Sequence, residues 1–543
     1  MKQTLEGNII DIFKREIFPG EIHFEDGIIT SIIPNNKTYE HYISPGFIDS
    51  HVHVESSMLI PSEFARLALA NGTVAVVSDP HEIANVLGIN GVKFMIENGK
   101  KVPLKFFFTA PSCVPATPFE TSGANLNAKD IDKLMNEEPI VALGEMMNFP
   151  GVINEFEDVI AKLNITKKHN LPIDGHIPGV IGEPLQKYAK FGISTDHECS
   201  TLEEAEEKLK LGMNILIREG SAARNFEALY PLINSNPDSV MLCTDDSHPD
   251  DLINHGHINK ILKLGIEKNI DIFKLWRAAT INPVNHYNIP VGLLRIGDTA
   301  DFIIIEDLVN LKIKETYING ELVFSNQRVL FDKIPENTIN NFKRIEHIKI
   351  EDLKIKNINK PVNVIECYDG SLITGSFSSI LQSQNNYLLP DLNKDILPIS
   401  VINRYTESKP SNGFINGFGL RKGAIASTVA HDSHNIIAIG SNYESLQIAI
   451  NELIESKGGI CFVNDKDRYI IPLPYAGLMT NEDGYTVAKK YELINKAVQS
   501  SGCKLKAPFM TLSFMALLVI PELKIGDKGL FDINKFDFID IYV

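Results

Sequence analysis

Two histidines stand one residue apart near the start of the chain, in the segment SPGFIDSHVHVESS at residues 44–57. Side chains two positions apart on a β-strand point to the same face, so His51 and His53 could bind one metal ion together. The spacing alone does not establish a metal site, because two polar residues on a solvent-exposed strand end would show the same pattern. Residues 55–57 receive no role from this pattern.

Further ionisable residues stand where later apolar runs of the sequence end. Glu145 lies near the end of PIVALGEMM, and Asp245 directly follows VMLCT. Each such residue is weak evidence when taken singly, but six of them at the ends of different runs are hard to obtain by chance. The six predicted metal ligands are His51, His53, Glu145, His176, His197 and Asp245.

These residue types suit a centre of two metal ions. His51 and His53 could hold the first ion and the two later histidines the second, while Glu145 bridges both. Asp245 could bind the first ion and accept a proton from its water, which makes Asp245 and Glu145 the predicted catalytic residues. A bound metal lowers the pKa of water from about 15.7 toward about 7, which provides hydroxide at neutral pH. The pattern therefore predicts hydrolytic chemistry.

Eight apolar runs, separated by turns and helix-like segments, lie between about residues 46 and 256. Alternating strands and helices imply parallel strands joined by crossovers, and eight strands can close into a barrel. The carboxyl ends of the strands then form one rim, where barrel enzymes carry their active sites. We therefore expect an α/β protein with a metal-dependent (β/α)8 barrel at residues 45–286, whose rim brings the six ligands together.

The segments outside the barrel have other patterns. Residues 1–44 and 287–335 alternate apolar and polar positions by twos, as half-buried strands do. We expect these two flanks to form one small β-domain, and two separate hairpin layers are the alternative. Residues 336–543 mix strand-like and helix-like segments and are expected to form an additional C-terminal α+β domain.

Charge and cysteine usage restrict the partners and the compartment. The 69 acidic residues exceed the 52 Lys and Arg residues and give a formal net charge of -17, so nucleic acid and anionic membrane surfaces are expected to be poor partners. The six cysteines show no CxxC spacing, which favours a reducing cytoplasm. The start of the chain lacks the apolar core of a signal peptide, and the apolar stretch at residues 514–520 is too short to span a bilayer.

Several motifs resemble a known family. PGFIDSHVH, the ligands at the strand ends and GLLRIGDTADFIIIED resemble the amidohydrolase superfamily. The resemblance is closer to its prokaryotic adenine deaminases and extends over almost the whole chain. The segments that carry it are SPGFIDSHVHVESSM, SDPHEIANVLG, GEMMNFPGV, DGHIPG, STDHE, CTDDSHPDDL, GSFSSI, TVAHDSHNIIAIG and PLPYAGLMT.

The resemblance implies the same ligand assignment and a specific reaction. Adenine would be hydrolysed at C6 to hypoxanthine and ammonia, in purine salvage, with Asp245 relaying a proton toward the ring or the departing amine. The two divalent ions would be Mn²⁺ or Fe²⁺, and Zn²⁺ is also compatible with the ligand types. The partner would be a small purine base, and we expect a homo-oligomer, with a dimer as the first expectation.

Two alternatives to this function stay open at the level of sequence. One is another amidohydrolase that opens a cyclic amide, such as a hydantoinase or a dihydroorotase-like enzyme. The other is a non-catalytic barrel in which metals only stabilise the fold. The deaminase architecture with an HxE and PCxxC zinc signature is absent from this chain.

Further polar residues at the rim are candidates for binding the substrate. Asp79, His81 and Glu82 follow the second run and could bind the purine edge, shuttle protons or hold another ion, although Asp79 could instead cap a helix. Arg218 and Glu219 could contact ring nitrogens or pair with each other.

Two more segments contain candidate residues of the functional site. Asp246 would point away from Asp245 on a regular strand and is expected to support the site or to touch the substrate. His431, Asp432 and His434 form a second pair of nearby histidines with an aspartate, in HDSH of the C-terminal region. They predict either a second metal site or, as we prefer, a segment that packs against a barrel mouth and closes over the purine.

Overall fold

The chain begins with antiparallel strands that lead into the barrel. The computed structural model describes residues 2–221 and 223–543. The first three strands form a meander, and the fourth pairs in parallel with the first. They are β1 (Lys2–Asp11), β2 (Glu16–Glu25), β3 (Ile28–Pro34) and β4 (Tyr42–Pro45).

Eight parallel strands then form the barrel, one in each apolar run of the sequence. Every residue of the first two is buried, as expected for strands covered on both faces. The strands are β5 (Phe47–His53), β6 (Thr73–Ser78), β7 (Lys105–Ala110), β8 (Ile140–Met146), β9 (Ile173–Gly175), β10 (Thr195–Asp196), β11 (Asn214–Arg218) and β12 (Val240–Cys243).

Two further pairings close the ring of strands. A bridge between Ile173 and Ile193 connects β9 to the segment before β10. The short strand β13 (Asp245–Asp246) extends β12 and pairs in parallel with β5, with Asp245 opposite Val52. The predicted (β/α)8 barrel is confirmed. Its closure brings the end of the last strand directly beside the end of the first.

Helices cover the outside of the barrel and connect its strands. A 3₁₀ helix (Val54–Ser57) follows β5. The helices are α1 (Pro61–Ala70), α2 (His81–Leu87), α3 (Ile89–Gly99), α4 (Ala128–Glu137), α5 (Phe149–Ile153), α6 (Glu157–Lys168), α7 (Glu183–Lys190), α8 (Leu202–Lys210), α9 (Phe226–Leu229), α10 (Pro231–Ser235), α11 (Pro249–Asn254), α12 (Ile258–Glu267), α13 (Ile272–Ala279) and α14 (Ile281–Tyr287).

The chain returns to the first sheet after the barrel. The strand that follows the last barrel helix pairs with β4, so both flanks share one eight-stranded sheet. A single β-layer built from both flanks is therefore correct, and the alternative of two separate hairpin layers is wrong. The returning strands are β14 (Phe302–Ile305), β15 (Ile313–Ile318), β16 (Glu321–Ser325) and β17 (Arg328–Val329).

The C-terminal region combines a second eight-stranded sheet with helices and two smaller sheets. Its strands are β18 (Val362–Glu366), β19 (Gly375–Ser379), β20 (Ser383–Gln384), β21 (Tyr387–Leu388), β22 (Ile396–Ile402), β23 (Ser411–Asn416), β24 (Ala424–Ser427), β25 (Ile436–Gly440), β26 (Gly459–Val463), β27 (Arg468–Pro472), β28 (Leu523–Gly526), β29 (Gly529–Asp532) and β30 (Asp537–Ile539). Its helices are α15 (Ile350–Leu353), α16 (Tyr443–Ser456), α17 (Gly484–Ser500) and α18 (Pro508–Phe514).

None of the helices in residues 2–221 and 223–543 combines the length and apolar character that crossing a bilayer requires.

A buried lysine supports the segment that carries His197. Lys208 is 0% exposed, and its Nζ lies 2.9 Å from Asp196 Oδ2 and 2.8 Å from Glu204 Oε1. Lys208→Met should lower the free energy of unfolding by about 3–5 kcal/mol, because two buried carboxylates lose their cation. Urea denaturation followed by circular dichroism measures this change. The exposed Lys210→Met is the matched control, and equal stability of both variants would contradict the prediction.

Candidate metal centre

The six predicted ligands come from five different parts of the barrel and meet at the ends of its strands. β5 carries His51 and His53, β8 carries Glu145, and the other three lie in β13 or directly after β9 and β10. Two groups of three have ligand atoms within 4.8 Å of one another: His51, His53 and Asp245, and His51, Glu145 and His197. These two groups contain five of the six residues, and the half-buried His176 joins them through Glu145, whose Oε2 lies 2.6 Å from His176 Nδ1.

The first group joins the start and the end of the barrel. Asp245 Oδ1 lies 3.1 Å from His53 Nε2 and 3.8 Å from His51 Nε2. Asp245 has a φ of 55°, in the left-handed region that residues other than glycine rarely adopt, and such conformations concentrate at functional sites. His51 Nε2 is buried and has no hydrogen-bond partner among the described residues, which leaves a nitrogen free to bind an ion.

Glu145 lies between the two groups of histidines. Its Oε1 is 3.2 Å from His53 Nε2, whereas its Oε2 is 2.6 Å from His176 Nδ1 and 3.1 Å from His197 Nε2. One carboxylate oxygen therefore faces His53, and the other faces His176 and His197. This orientation is the one that a carboxylate bridging two ions requires.

The protonation states of His51, Asp245 and Glu145 suit metal binding. Burial, followed by the neighbouring His197, lowers the pKa of His51 to about 3, so its imidazole is neutral. Burial would raise the pKa of Asp245, but Arg218 and His53 outweigh it and hold this pKa well below its usual range. Burial of Glu145 is likewise outweighed by His176, which keeps its pKa low. Neutral imidazoles and ionised carboxylates are the forms that bind metals. In the other three histidines, His53, His176 and His197, neighbouring carboxylates outweigh burial and raise the pKa, so binding an ion would displace a proton from them.

The donor set narrows the kind of ion that fits. All six donors are imidazole nitrogens or carboxylate oxygens, and the six residues are between 2% and 13% exposed at their side chains. Nitrogen and oxygen ligands suit first-row divalent ions such as Mn²⁺, Fe²⁺ and Zn²⁺ and do not favour the softer ions that thiolates select. The residues present therefore fit divalent metal ions.

Arg218 contacts the cluster, and its neighbour Glu219 does not. The Arg218 guanidinium donates through Nη1 to both Asp245 and Glu198, and its Nη2 lies 3.1 Å from Glu198 Oε2. Glu219 Oε1 instead accepts a bond from the backbone N–H of Phe226 at 3.3 Å. The alternative in which Arg218 and Glu219 pair with each other is therefore wrong, and Glu219 lies outside the cluster.

Glu198 is a site residue that the sequence analysis missed. Its ligand atom lies within 4.8 Å of those of His176 and His197, and its Oε1 is 3.3 Å from His197 Nε2. Burial of Glu198 is outweighed by Arg218, which lowers the pKa of this carboxyl. Its position directly after His197 in STDHE was the available signal, because turns at strand ends bring neighbouring residues to the same rim.

The residues after β6 separate into two roles. Asp79 Oδ2 accepts a bond from the backbone N–H of Glu145 at 2.9 Å, so it supports the strand that carries Glu145. Pro80 occupies the N-cap position of α2, and the helix-cap alternative for Asp79 is therefore wrong. His81 Nδ1 lies 3.5 Å from Glu145 Oε1, whereas Glu82 faces the C-terminal region.

Asp246 and the 3₁₀ helix after β5 lie beside the cluster. Asp246 accepts a hydrogen bond from the Ser56 hydroxyl, and burial together with Asp245 raises its pKa. Glu55 Oε1 accepts a bond from the backbone N–H of Ile83 at 3.2 Å. Burial raises the pKa of Glu55 to about 7. Glu55 and Ser56, which received no role from the sequence pattern, therefore contact the segments that adjoin the cluster.

Comparison with known proteins agrees with this geometry. The model of the amidohydrolase family matches residues 42–323, and that of the adenine deaminase C-terminal domain matches residues 371–537. The adenine deaminases of Methanosarcina barkeri and Borreliella burgdorferi are each 52% identical to this chain, over 99% of both chains. The adenine deaminase of Salinibacter ruber is 45% identical, again over 99% of both chains. The chain therefore belongs to the adenine deaminase family of the amidohydrolase superfamily.

Proposed function

We propose that this protein hydrolyses adenine to hypoxanthine and ammonia at the cluster of six ligands. The observation that carries the proposal is the position of Glu145, with one oxygen toward His53 and the other toward His176 and His197. Full-length relatives that are 52% identical and are named adenine deaminases support the choice of substrate.

The ligand assignment is part of this proposal. His51, His53 and Asp245 would hold one ion, His176 and His197 the other, and Glu145 both. Mn²⁺ or Fe²⁺ suits a set that contains two carboxylates, and Zn²⁺ fits the same donor types. Two such ions would supply Lewis acidity and a water that ionises near neutral pH.

Asp245 moves the proton in the proposed mechanism. Its carboxylate is held by Arg218 and lies 3.1 Å from His53 Nε2, so it stays ionised and oriented. As water attacks C6, Asp245 accepts the proton and delivers it to the departing nitrogen. This delivery is required because an unprotonated amide anion is too basic to leave in water. General acid–base catalysis of this kind contributes about 10²- to 10⁴-fold in rate.

The proposal also covers the cellular compartment, the binding partner and the oligomeric state. The six cysteines all lie within the described ranges and are buried and unpaired, which supports a reducing cytoplasm. The net charge of -17 supports a small purine base rather than a nucleic acid as the partner. A homodimer stays a prediction, which light scattering of the purified protein measures.

Anaerobic reconstitution tests substrate and metal together. The apoprotein is loaded with Mn²⁺, Fe²⁺ or Zn²⁺, and we expect ammonia release from adenine with two bound ions per chain, fastest with Mn²⁺ or Fe²⁺. The control is the apoprotein, which should release no ammonia. Opening of a hydantoin or dihydropyrimidine without any ammonia from adenine would instead identify a cyclic-amide hydrolase and contradict the proposal.

A further inference from the structure

One loop of the C-terminal region lies buried against the barrel beside the metal centre. This loop, residues 428–435, connects β24 to β25, and we refer to it as the β24–β25 loop. His431, Asp432 and His434 are between 0% and 3% exposed, so the loop is enclosed within the single chain. The contacts of the loop explain why this segment, HDSH, carries two histidines close together.

The two histidines of the β24–β25 loop bind one barrel carboxylate. His431 Nδ1 lies 2.5 Å from Glu82 Oε1, and His434 Nε2 contacts Glu82 Oε2. The backbone N–H of Ala430 donates to His434 Nδ1 at 3.2 Å, so the proton of this imidazole is on Nε2, where it can be donated to Glu82. Both oxygens of Glu82 are thereby used to fasten the loop.

The next residues of the loop contact a second part of the barrel. The Ser433 hydroxyl donates to Glu120, and Asn435 Nδ2 donates to the backbone carbonyl of Thr121 at 2.9 Å. Tyr405 of the C-terminal region holds the backbone carbonyl of Ser433 at 2.7 Å. Anchors on both sides of Asp432 therefore fix the position of this residue.

Asp432 is held in place while one of its two carboxylate oxygens stays without a hydrogen-bond partner. Its Oδ2 is buried and finds no hydrogen-bond partner within residues 2–221 and 223–543. A ligand atom of Asp432 lies within 4.8 Å of ligand atoms of His81 and Glu82, and His81 Nδ1 is 3.5 Å from the bridging Glu145. An unpaired buried carboxylate oxygen is costly, so its retention beside a reaction centre indicates that a ligand completes it.

A cavity provides space next to the loop. It has a volume of about 300 Å³ and lies between the barrel and the C-terminal region, with His248 and Ser221 on one side and Phe514 and Thr511 on the other. The ring of Phe514 stacks on His431 at a centroid distance of 4.6 Å. Asp432 and the six predicted metal ligands do not line this cavity, and the cavity adjoins the β24–β25 loop only through Phe514.

We propose that Asp432 binds the substrate by accepting a hydrogen bond from an N–H group of the purine base, and that His431 and His434 position it by fastening the β24–β25 loop to Glu82. The inference rests on the proposed function, because adenine supplies N–H groups close to the carbon that is attacked. It assigns part of substrate recognition to the C-terminal region, which closes the barrel of its own chain.

The variant Asp432→Asn tests this proposal in the full-length, metal-loaded enzyme. Asn keeps the size of the side chain but removes the charge that accepts the bond, and loss of a hydrogen bond to a charged group corresponds to about a 10- to 100-fold change. We expect KM for adenine to rise and kcat/KM to fall by about this factor, with two metal ions per chain and the thermal unfolding midpoint retained.

The control is Asp465→Asn, an exposed aspartate of the same region, which should match the wild type. Loss of one metal ion from Asp432→Asn would overturn the proposal, because Asp432 would then be a metal ligand. An unchanged KM would also overturn it. If Asp432→Asn does not fold, Asp432→Ala replaces it, because Ala also lacks the carboxylate, and an unchanged KM in that variant has the same meaning. An inactive wild type would instead refute the proposed function.

Discussion

Asp245→Asn is expected to lower turnover of adenine by about 10²- to 10⁴-fold, because the variant cannot accept and deliver a proton. The fold should persist, since Arg218 keeps its contact with Glu198 when the charge of Asp245 is removed. His51 and His53 remain as ligands of the same ion, so much of the metal should stay bound. Steady-state ammonia release and metal analysis of the purified variant measure both effects.

The matched control for this variant is Asp238→Asn. Asp238 is exposed and lies just before β12, the strand that Asp245 follows. Its ion-pair partner is Arg277, so it does not contact the cluster. It should turn over adenine as the wild type does. Unchanged turnover by Asp245→Asn would remove this residue from the mechanism, and loss of all metal from it would show that its role is binding alone.

Glu145→Gln is expected to eliminate the two-ion centre. The amide keeps the shape of the side chain but loses the negative charge. In the wild type, one oxygen of this charged group lies beside His53 and the other beside His176. Altering even residues that only support a ligand costs about 10- to 100-fold in metal affinity, so loss of the bridging ligand should cost at least as much. We expect metal content to fall below two ions per chain and activity to fall with it.

Titration of the apoprotein with Mn²⁺ measures this effect independently of turnover. Glu137→Gln is the control, because Glu137 is an exposed carboxylate that pairs with Lys93 at 2.8 Å near the end of α4. Two ions bound to Glu145→Gln with wild-type affinity would contradict the bridging assignment. Full activity that returns only at high Mn²⁺ concentration would agree with it, since mass action then compensates for weaker binding.

Much of the barrel could be predicted from local patterns. Each strand is a short apolar run that ends in a polar turn, and these properties depend on neighbours in sequence. Parallel strands joined by helices bring their carboxyl ends to one rim, so His51 and Glu145 could be expected near each other without knowledge of the packing. The proposed domain boundaries at residues 45, 287 and 336 stay predictions.

Pairings between distant residues could not be predicted in the same way. Arg218 precedes Glu219 directly, yet the first binds Glu198 and Asp245 while the second turns to Phe226. The side chains of successive residues at the end of a strand point to different faces. The partner that each side chain meets depends on how the barrel closes. For the same reason Asp79 supports Glu145 rather than the helix that follows it.

The sequence by itself determined the ligand types, their places at strand ends and the hydrolytic chemistry, because these follow from residue identity and from periods of a few residues. Only the tertiary structure decided that Glu82 binds His431 and His434, which lie about 350 positions later in the chain. Contacts at such separations depend on the packing of one folded region against another. The HxH motif in SPGFIDSHVHVESS was visible from the start, whereas the contact of the β24–β25 loop with Glu82 became visible only in the folded chain.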